Sequence, residues 1–380
     1  MNKKLKLNYK NTFFIGLAFF AILMLWQVYN TYCPLILRDL LESEFQGDAD
    51  RLTYVIGIIM AMDNLVALVI MPIFGALSDK THTKWGKRMP YILIGMLASA
   101  LIFPLIAVFF IKDSLLGVII IMGLVLIIMQ GYRNPAVALM PDVTPKPLRS
   151  KGNAIINLMG AVGGVLYLII TTFLYSKART DGLEHISYVP IFAIVAGIML
   201  VALVIIMFFV NEPKLCREQA EYEMQHPEEN LSVVGADKNV EIMPKEVKRS
   251  LIFLLFSVAF WYVGYNGITT WFTVYAEEMW GMEVGEASMC LTVATAAAIV
   301  TYIPAGIVAS KIGRKSTIKF GVALLSLCFF SAFLYTLAFH EFHFILLVLF
   351  AFVGVAWASI NVNSFPMVVE MCSGSKVGKF

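Results

Sequence analysis

The chain has 380 residues, 59% of them hydrophobic and only 14% charged, with a mean hydropathy of +0.79 and a net charge of +3. A soluble domain of this size cannot hide so much apolar surface, whereas a lipid bilayer can, so the composition excludes an ordinary globular fold. No zinc, haem, P-loop or nucleotide fingerprint is present and no nucleophile–base arrangement, so neither an enzyme, a cofactor, a metal nor a nucleic-acid partner is expected.

Lys3, Lys4, Lys6 and Lys10 precede the first apolar run. That run is too long for a secretory h-region and lacks a clear cleavage site, which predicts a retained anchor. From there, ten runs are long enough to cross about 30 Å of hydrocarbon as helices. They lie near 12–37, 52–77, 90–111, 115–140, 151–176, 187–211, 250–275, 287–309, 317–339 and 343–366. Pro34, Pro72, Pro104, Pro135 and Pro304 fall in or near these helices, where neighbours re-satisfy the freed carbonyls. Five scattered cysteines (Cys33, Cys216, Cys290, Cys328, Cys372) show no paired spacing and are expected as small apolar residues on helices.

The connectors alternate in charge. The N-terminal stretch carries +4, the next connector −3, the one after Asp79 +3, the Lys112–Asp113 connector zero and the one around Lys146 +2. In the later part, Glu277 to Glu286 give −4 and Lys311 to Lys319 give +4. Basic connectors stay on the cytoplasmic side, so the N-terminus is expected inside a plasma or inner membrane crossed many times. The polar stretch from Glu212 to Arg249 is acidic overall, but long loops obey the charge rule poorly. Lys214 to Gln225 is expected as a surface helix and the remainder as a flexible tether. The glycosylation sequon at Asn230 is expected to be a chance match there.

One signal recurs. GALSDKTHTKWGKR (Gly75 to Arg88) and GIVASKIGRK (Gly306 to Lys315) each end a greasy helix with glycine and open the next through a basic connector. A second pair, RNPAVALMPDVTP (Arg133 to Pro145) and NVNSFPMVVEMCS (Asn361 to Ser373), sets Glu370 opposite Asp142. A duplicated helical bundle with basic connectors on one side is the plan of a secondary transporter. The expected organisation is a six-helix bundle over 1–211, a cytoplasmic loop over 212–248 and a second bundle over 249–380. That second bundle holds four long runs, and about 70 further residues would complete it by analogy with the first repeat.

Six plus six helices, a central loop and the duplicated glycine-to-basic connector resemble the major facilitator superfamily. Within it the chain is most similar to sugar–cation symporters of the glycoside–pentoside–hexuronide type, in particular the sucrose–proton branch. The blocks that carry this are PIFGALSDKTHTKWGKRMPYILIG (Pro72 to Gly95) and QGYRNPAVALMPDVTPKPLRSKGNAIINLMGAVGG (Gln130 to Gly164). The resemblance implies an all-α polytopic fold of two six-helix repeats, with the last two helices missing from this sequence. Sodium-using relatives carry two aspartates one turn apart before the corresponding proline and glycine; here Ala67 and Met71 stand in those places. The resemblance therefore implies a proton rather than sodium as coupling ion.

Within the expected hydrocarbon only Asp63 and Arg133 are ionisable, and such residues mark a pathway or a partner. An aspartate shielded from water could load and release a proton; alternatively Asp63 and Asn64 form a static helix clamp. Arg133 offers a forked donor for an anionic or hydroxyl-rich substrate. Polar residues recur at helical spacing: Gln27, Asn30 and Thr31, then Gln130, Asn153 with Asn157, Tyr265 with Asn266, and Trp357 with Asn361. Amides and aromatic rings suit sugars, by hydrogen bonds and by stacking on C–H faces; interhelical bonding is the competing use of each residue. Gly75, Asp79, Lys87 and Arg88, with Asp142, Arg149, Gly306 and Arg314, are expected as a cytoplasmic gate. Ser310 near Asp79's counterpart makes the two gates unequal.

The expected function is proton-coupled symport of a sugar or glycoside by a monomer in the bilayer. The alternatives are a non-transporting or degenerate relative serving as a sensor, and an exporter of another small solute on the same fold.

Overall fold

The computed structural model describes residues 7–45, 48–175, 187–225, 245–282 and 284–371. The tether after the surface helix, the Asn230 sequon and Cys372 lie outside them. No strand forms among the described residues beyond one isolated bridge between Thr83 and Gly86. In the described residues the α-helices are α1 (Tyr9–Phe45), α2 (Ala49–Lys80), α3 (Met89–Ile102), α4 (Leu105–Ile111), α5 (Leu115–Val143), α6 (Arg149–Leu174), α7 (Val189–Phe209), α8 (Glu212–Gln225), α9 (Lys245–Trp280), α10 (Val284–Ile312), α11 (Arg314–Ala338) and α12 (Ile345–Met371).

Among the described residues ten stretches are long and apolar enough to cross a membrane, so the chain is a multi-pass membrane protein. They match the ten expected runs, with one refinement. The third span bends between α3 and α4 at Phe103 and Pro104, because the proline ring lacks the N–H that would continue the ladder. Pro34, Pro72, Pro135 and Pro304 stay inside continuous helices. The surface helix begins two residues earlier than its basic residues imply, at Glu212.

The contacts divide the chain into two compact units. One contains Asn8–Val143 and Met159–Glu221; the other contains Thr144–Leu158 and Tyr222–Ser373. The helix α6 is therefore shared: its first turns pack with helices of the second half of the sequence and its remainder with the first half.

In the first unit α1 buries one face (Met24, Leu25, Val28, Cys33, Ile36) and packs on α2, α5 and α7, where Met129 of α5 and Phe192 and Met199 of α7 are buried too. A Cβ on Gly163 would sit 2.5 Å from the Phe20 carbonyl oxygen, so glycine lets α6 lie directly against α1. The second unit has a core of Phe272, Trp280, Cys290, Tyr335 and Phe350, and another of Leu325, Cys328, Val353, Ala356 and Ile360. Cys33 in the first unit and Cys290 and Cys328 in the second are buried side chains. Leu65, Leu68, Val69 and Ile73 on α2 face outward, as hydrocarbon-facing residues do.

Candidate functional site

The connector from α2 to α3 is a tight turn. Gly86 adopts φ +110°, and the Thr83 hydroxyl donates to its carbonyl at 2.6 Å. A Cβ here would fall 2.2 Å from Glu212 Oε2, so the turn tolerates only glycine for both conformation and space. The turn delivers Arg88, which is fully buried, to the last turn of α2. Its Nε donates to Asp142 Oδ2 at 2.9 Å, and its terminal nitrogens reach Asp79, the Ser78 hydroxyl and the Gly75 carbonyl. Lys87 Nζ lies 3.1 Å from the same Asp142 oxygen. One guanidinium thus ties the ends of α2, α3 and α5 in a fork that a lysine cannot reproduce.

Sequence reasoning missed Glu212. Its carboxylate accepts from the backbone N–H groups of Lys87 (2.9 Å), Arg88 (3.0 and 3.1 Å) and Met89 (2.8 Å). These are orphan donors at the start of α3, where a negative charge is favoured by unsatisfied N–H groups and the helix dipole. The signal was an acid placed immediately after the apolar run of α7, on the side of the basic connectors. Burial raises the Glu212 carboxyl above its ordinary range, the three N–H donors draw it back, and nearby Asp142 pushes it up again. Burial also pushes the Cys216 thiol beside it up to about 12.

Arg149 donates from its Nε to the Thr144 carbonyl at 3.2 Å. In the second unit Arg314 bonds the Ser150 hydroxyl at 2.6 Å and the Lys146 carbonyl. A Cβ on Gly306 would stand 2.9 Å from the Ser150 carbonyl oxygen and 3.0 Å from the Ala154 side chain. The repeated glycine-to-basic signal is therefore used differently in its two copies. The first clasps its own unit through two carboxylates; the second grips the opening turns of α6. Ser310 gives its hydroxyl back to the Gly306 carbonyl at 2.7 Å, so no carboxylate stands at that place.

The polar stripe of α1 (Gln27, Asn30, Thr31) is exposed, opposite the buried face. Asp63 lies within α2, but its side chain is outside the described residues. On α5, Gln130 is buried with a side-chain oxygen that meets no hydrogen-bond partner among the described residues, Arg133 is half-buried, and Asn134 donates to the Met71 carbonyl at 2.7 Å.

A denser group forms within the second unit. Tyr265 of α9 stacks on Trp357 of α12 with centroids 3.9 Å apart, and Trp261 meets the same indole edge-on at 5.1 Å. Tyr302 of α10, which the sequence did not single out, is buried near the side chains of Trp357 and Asn361. Asn361 donates to Asn157 Oδ1 at 3.1 Å. The buried Trp261 Nε1 meets no acceptor among the described residues. The amide of Asn266 instead turns back to the Tyr262 carbonyl on its own helix, and that of Asn153 is spent on α12. Aromatic faces beside amide groups form a surface that can stack a sugar ring and bond its hydroxyls.

Residues 14–380 match the family model described as Major Facilitator Superfamily. Over 55 residues the chain is 46% identical to the lactose permease of Lactobacillus helveticus; the stretch is 14% of this chain and 9% of that protein. Among solved structures, the fold is similar to the proton:xylose symporter XylE bound to 6-bromo-6-deoxy-D-glucose, with a TM-score of 0.65 and 16% identity over 98% of this chain and 85% of that one. It is equally similar to the human organic anion transporter TETRAN, at 0.66 and 16% over 98% and 89%. At such identity these two show the fold alone.

Proposed function

The chain belongs to the major facilitator superfamily, whose members are transporters, and within that family we propose that it carries a small sugar or glycoside together with a proton. The observation that carries the reading is the aromatic and amide group of the second unit, where Trp261, Tyr265 and Trp357 stand beside Asn157 and Asn361. A sugar needs ring faces for its C–H side and donors and acceptors for its hydroxyls, and this group brings both kinds of side chain together. The name of the lactose permease that shares 46% of 55 residues, and that of the xylose symporter of similar fold, point to the same substrate class. Arg133 and the likeness to an organic anion transporter favour an anionic solute as the second reading.

In this account the basic connectors face the cytoplasm and the substrate and proton enter from outside. Asp63 takes the proton, and loss of its charge lowers the cost of closing the helices around it. The clasps around Arg88 and Arg314 hold the cytoplasmic ends until the substrate is bound.

The test is uptake by proteoliposomes of labelled lactose, xylose and a small panel of glycosides, under an imposed pH difference of either sign. Accumulation driven by an inward proton gradient, and saturable competition among the sugars, is the expected result. Trp357→Ala should raise KM by about tenfold or more, since stacking and area burial together contribute about 1–3 kcal/mol. Uptake of an organic anion in place of every sugar would favour the second reading.

A further inference from the structure

Proline carries no backbone N–H, so inside a helix it leaves the carbonyl four residues earlier without its usual partner. In α12 that proline is Pro366, and the carbonyl is Val362's. Both residues are buried, so solvent does not fill the gap, and a buried acceptor left open is costly. The bond comes from another helix. Asn153 Nδ2 of α6 lies 2.7 Å from the Val362 carbonyl oxygen and 3.4 Å from that of Asn361. Asn153 is itself buried, which removes water as a competitor for its amide.

Two further features set this bond apart from ordinary interhelical glue. It lies beside the other contacts by which the second half holds the opening turns of α6, namely Gly306 against Ser150 and Ala154, and Arg314 on Ser150. It is also wired to the aromatic group. Asn157 Nδ2 donates to the Asn153 carbonyl at 2.8 Å, and Asn157 Oδ1 accepts from Asn361 at 3.1 Å. One turn of α6 therefore joins the proline gap of α12 to the residue that borders Trp357.

We propose that Asn153 is a positioning residue of the transport cycle: its amide completes the interrupted hydrogen-bond ladder of α12 only while these ends of α6 and α12 are together. When they part, the Val362 carbonyl loses its partner, so the gap at Pro366 gives the closed contact a specific advantage. The same movement releases Asn157 and Asn361 from each other, linking closure to the geometry of the aromatic group. Its meaning rests on the transporter reading, but the closure itself is measured without a substrate.

The experiment uses the whole chain in nanodiscs, with the five native cysteines replaced by serine and Ala154→Cys as the one thiol. Ala154 is 1% exposed against Gly306, so its alkylation rate by N-ethylmaleimide reports how often the contact opens. Asn153→Ala should raise that rate about tenfold, the change that about 1.4 kcal/mol produces. In a Pro366→Ala background, where residue 366 again offers an N–H to Val362, the same substitution should change the rate by less than about twofold. Asn153→Asp keeps the volume but sets an acceptor against the carbonyl, and should open the contact in the proline background as the alanine variant does. Melting curves show that each variant is folded; Pro366→Leu restores the same N–H if Pro366→Ala is not. An equal rise in both backgrounds, or none in either, overturns the proposal. A sugar panel that gives no uptake would count against the substrate reading and leave the thiol result standing.

Discussion

Arg88 carries more of the polar framework of its unit than any neighbour, with four partners for one guanidinium and no exposure. Arg88→Met would take the guanidinium from Asp79 and Asp142, whose side chains are 9% and 7% exposed, and leave Lys87 as the cation at Asp142. Removing one partner of a buried ionic group leaves uncompensated charge, at a cost of about 3–5 kcal/mol. A clear fall in the melting temperature of the purified protein is expected, and Arg88→Lys should restore only part of it, since an ammonium cannot fork between two carboxylates. Glu212 allows a test of sign. Burial holds its folded-state carboxyl above the ordinary value of 4.5, so between that value and the raised one the folded protein binds a proton that the unfolded chain has released. Its contribution is thus fully present at low pH and is lost as pH climbs through the raised value. Melting temperatures measured across a pH series should fall more steeply with rising pH in the parent than in Glu212→Gln, which has no proton to lose.

At the level of helices, two glycines should behave oppositely when given the same methyl group. A Cβ on Gly354 would lie 2.0 Å from the Ala294 carbonyl oxygen, which is backbone and cannot swing aside. Gly354→Ala must therefore push α12 away from α10, and overpacking of this kind costs about 1–3 kcal/mol. Gly57 on α2 meets nothing within 4 Å of the same added atom. Gly57→Ala should be neutral or should stabilise by about 1 kcal/mol at most, the helix preference of alanine over glycine. Thermal unfolding of the two variants side by side checks both, and equal behaviour would contradict the close approach of α10 and α12. The continuous helices α1, α2, α5, α10 and α12 each retain a proline; at Pro366 a side-chain bond from another helix reaches the carbonyl the ring leaves open.

For the whole molecule, the coupling role proposed for Asp63 separates two transport modes. Asp63→Asn should abolish uphill accumulation while leaving exchange of labelled for unlabelled substrate partly intact, because a neutral side chain imitates only the proton-loaded form. Proton-driven uptake at the parental rate would remove Asp63 from that role. Measurement in proteoliposomes with both assays on one preparation distinguishes this from simple misfolding.

The sequence by itself determined the class and the plan of the fold: apolar runs of spanning length, basic connectors and a repeated glycine-to-basic signal are local properties, and a bilayer leaves a chain of such runs little choice but helices. It also grouped Asp79, Lys87, Arg88, Asp142 and Arg149 as ion pairs and helix-end contacts of the connectors; in the structure Lys87 and Arg88 meet Asp142, Arg88 meets Asp79, and Arg149 bonds the Thr144 carbonyl. What it could not decide was which partner each polar group would take. Asn153 and Asn157 lie one turn apart on one helix and looked equivalent. Only packing directed Asn153 to a proline gap on α12 and Asn157 to Asn361. Glu212 and Tyr302 were invisible as site residues for the same reason. Their roles depend on groups more than fifty residues away in the chain, and hydrogen bonds act over about 3 Å, so only the tertiary structure could settle them.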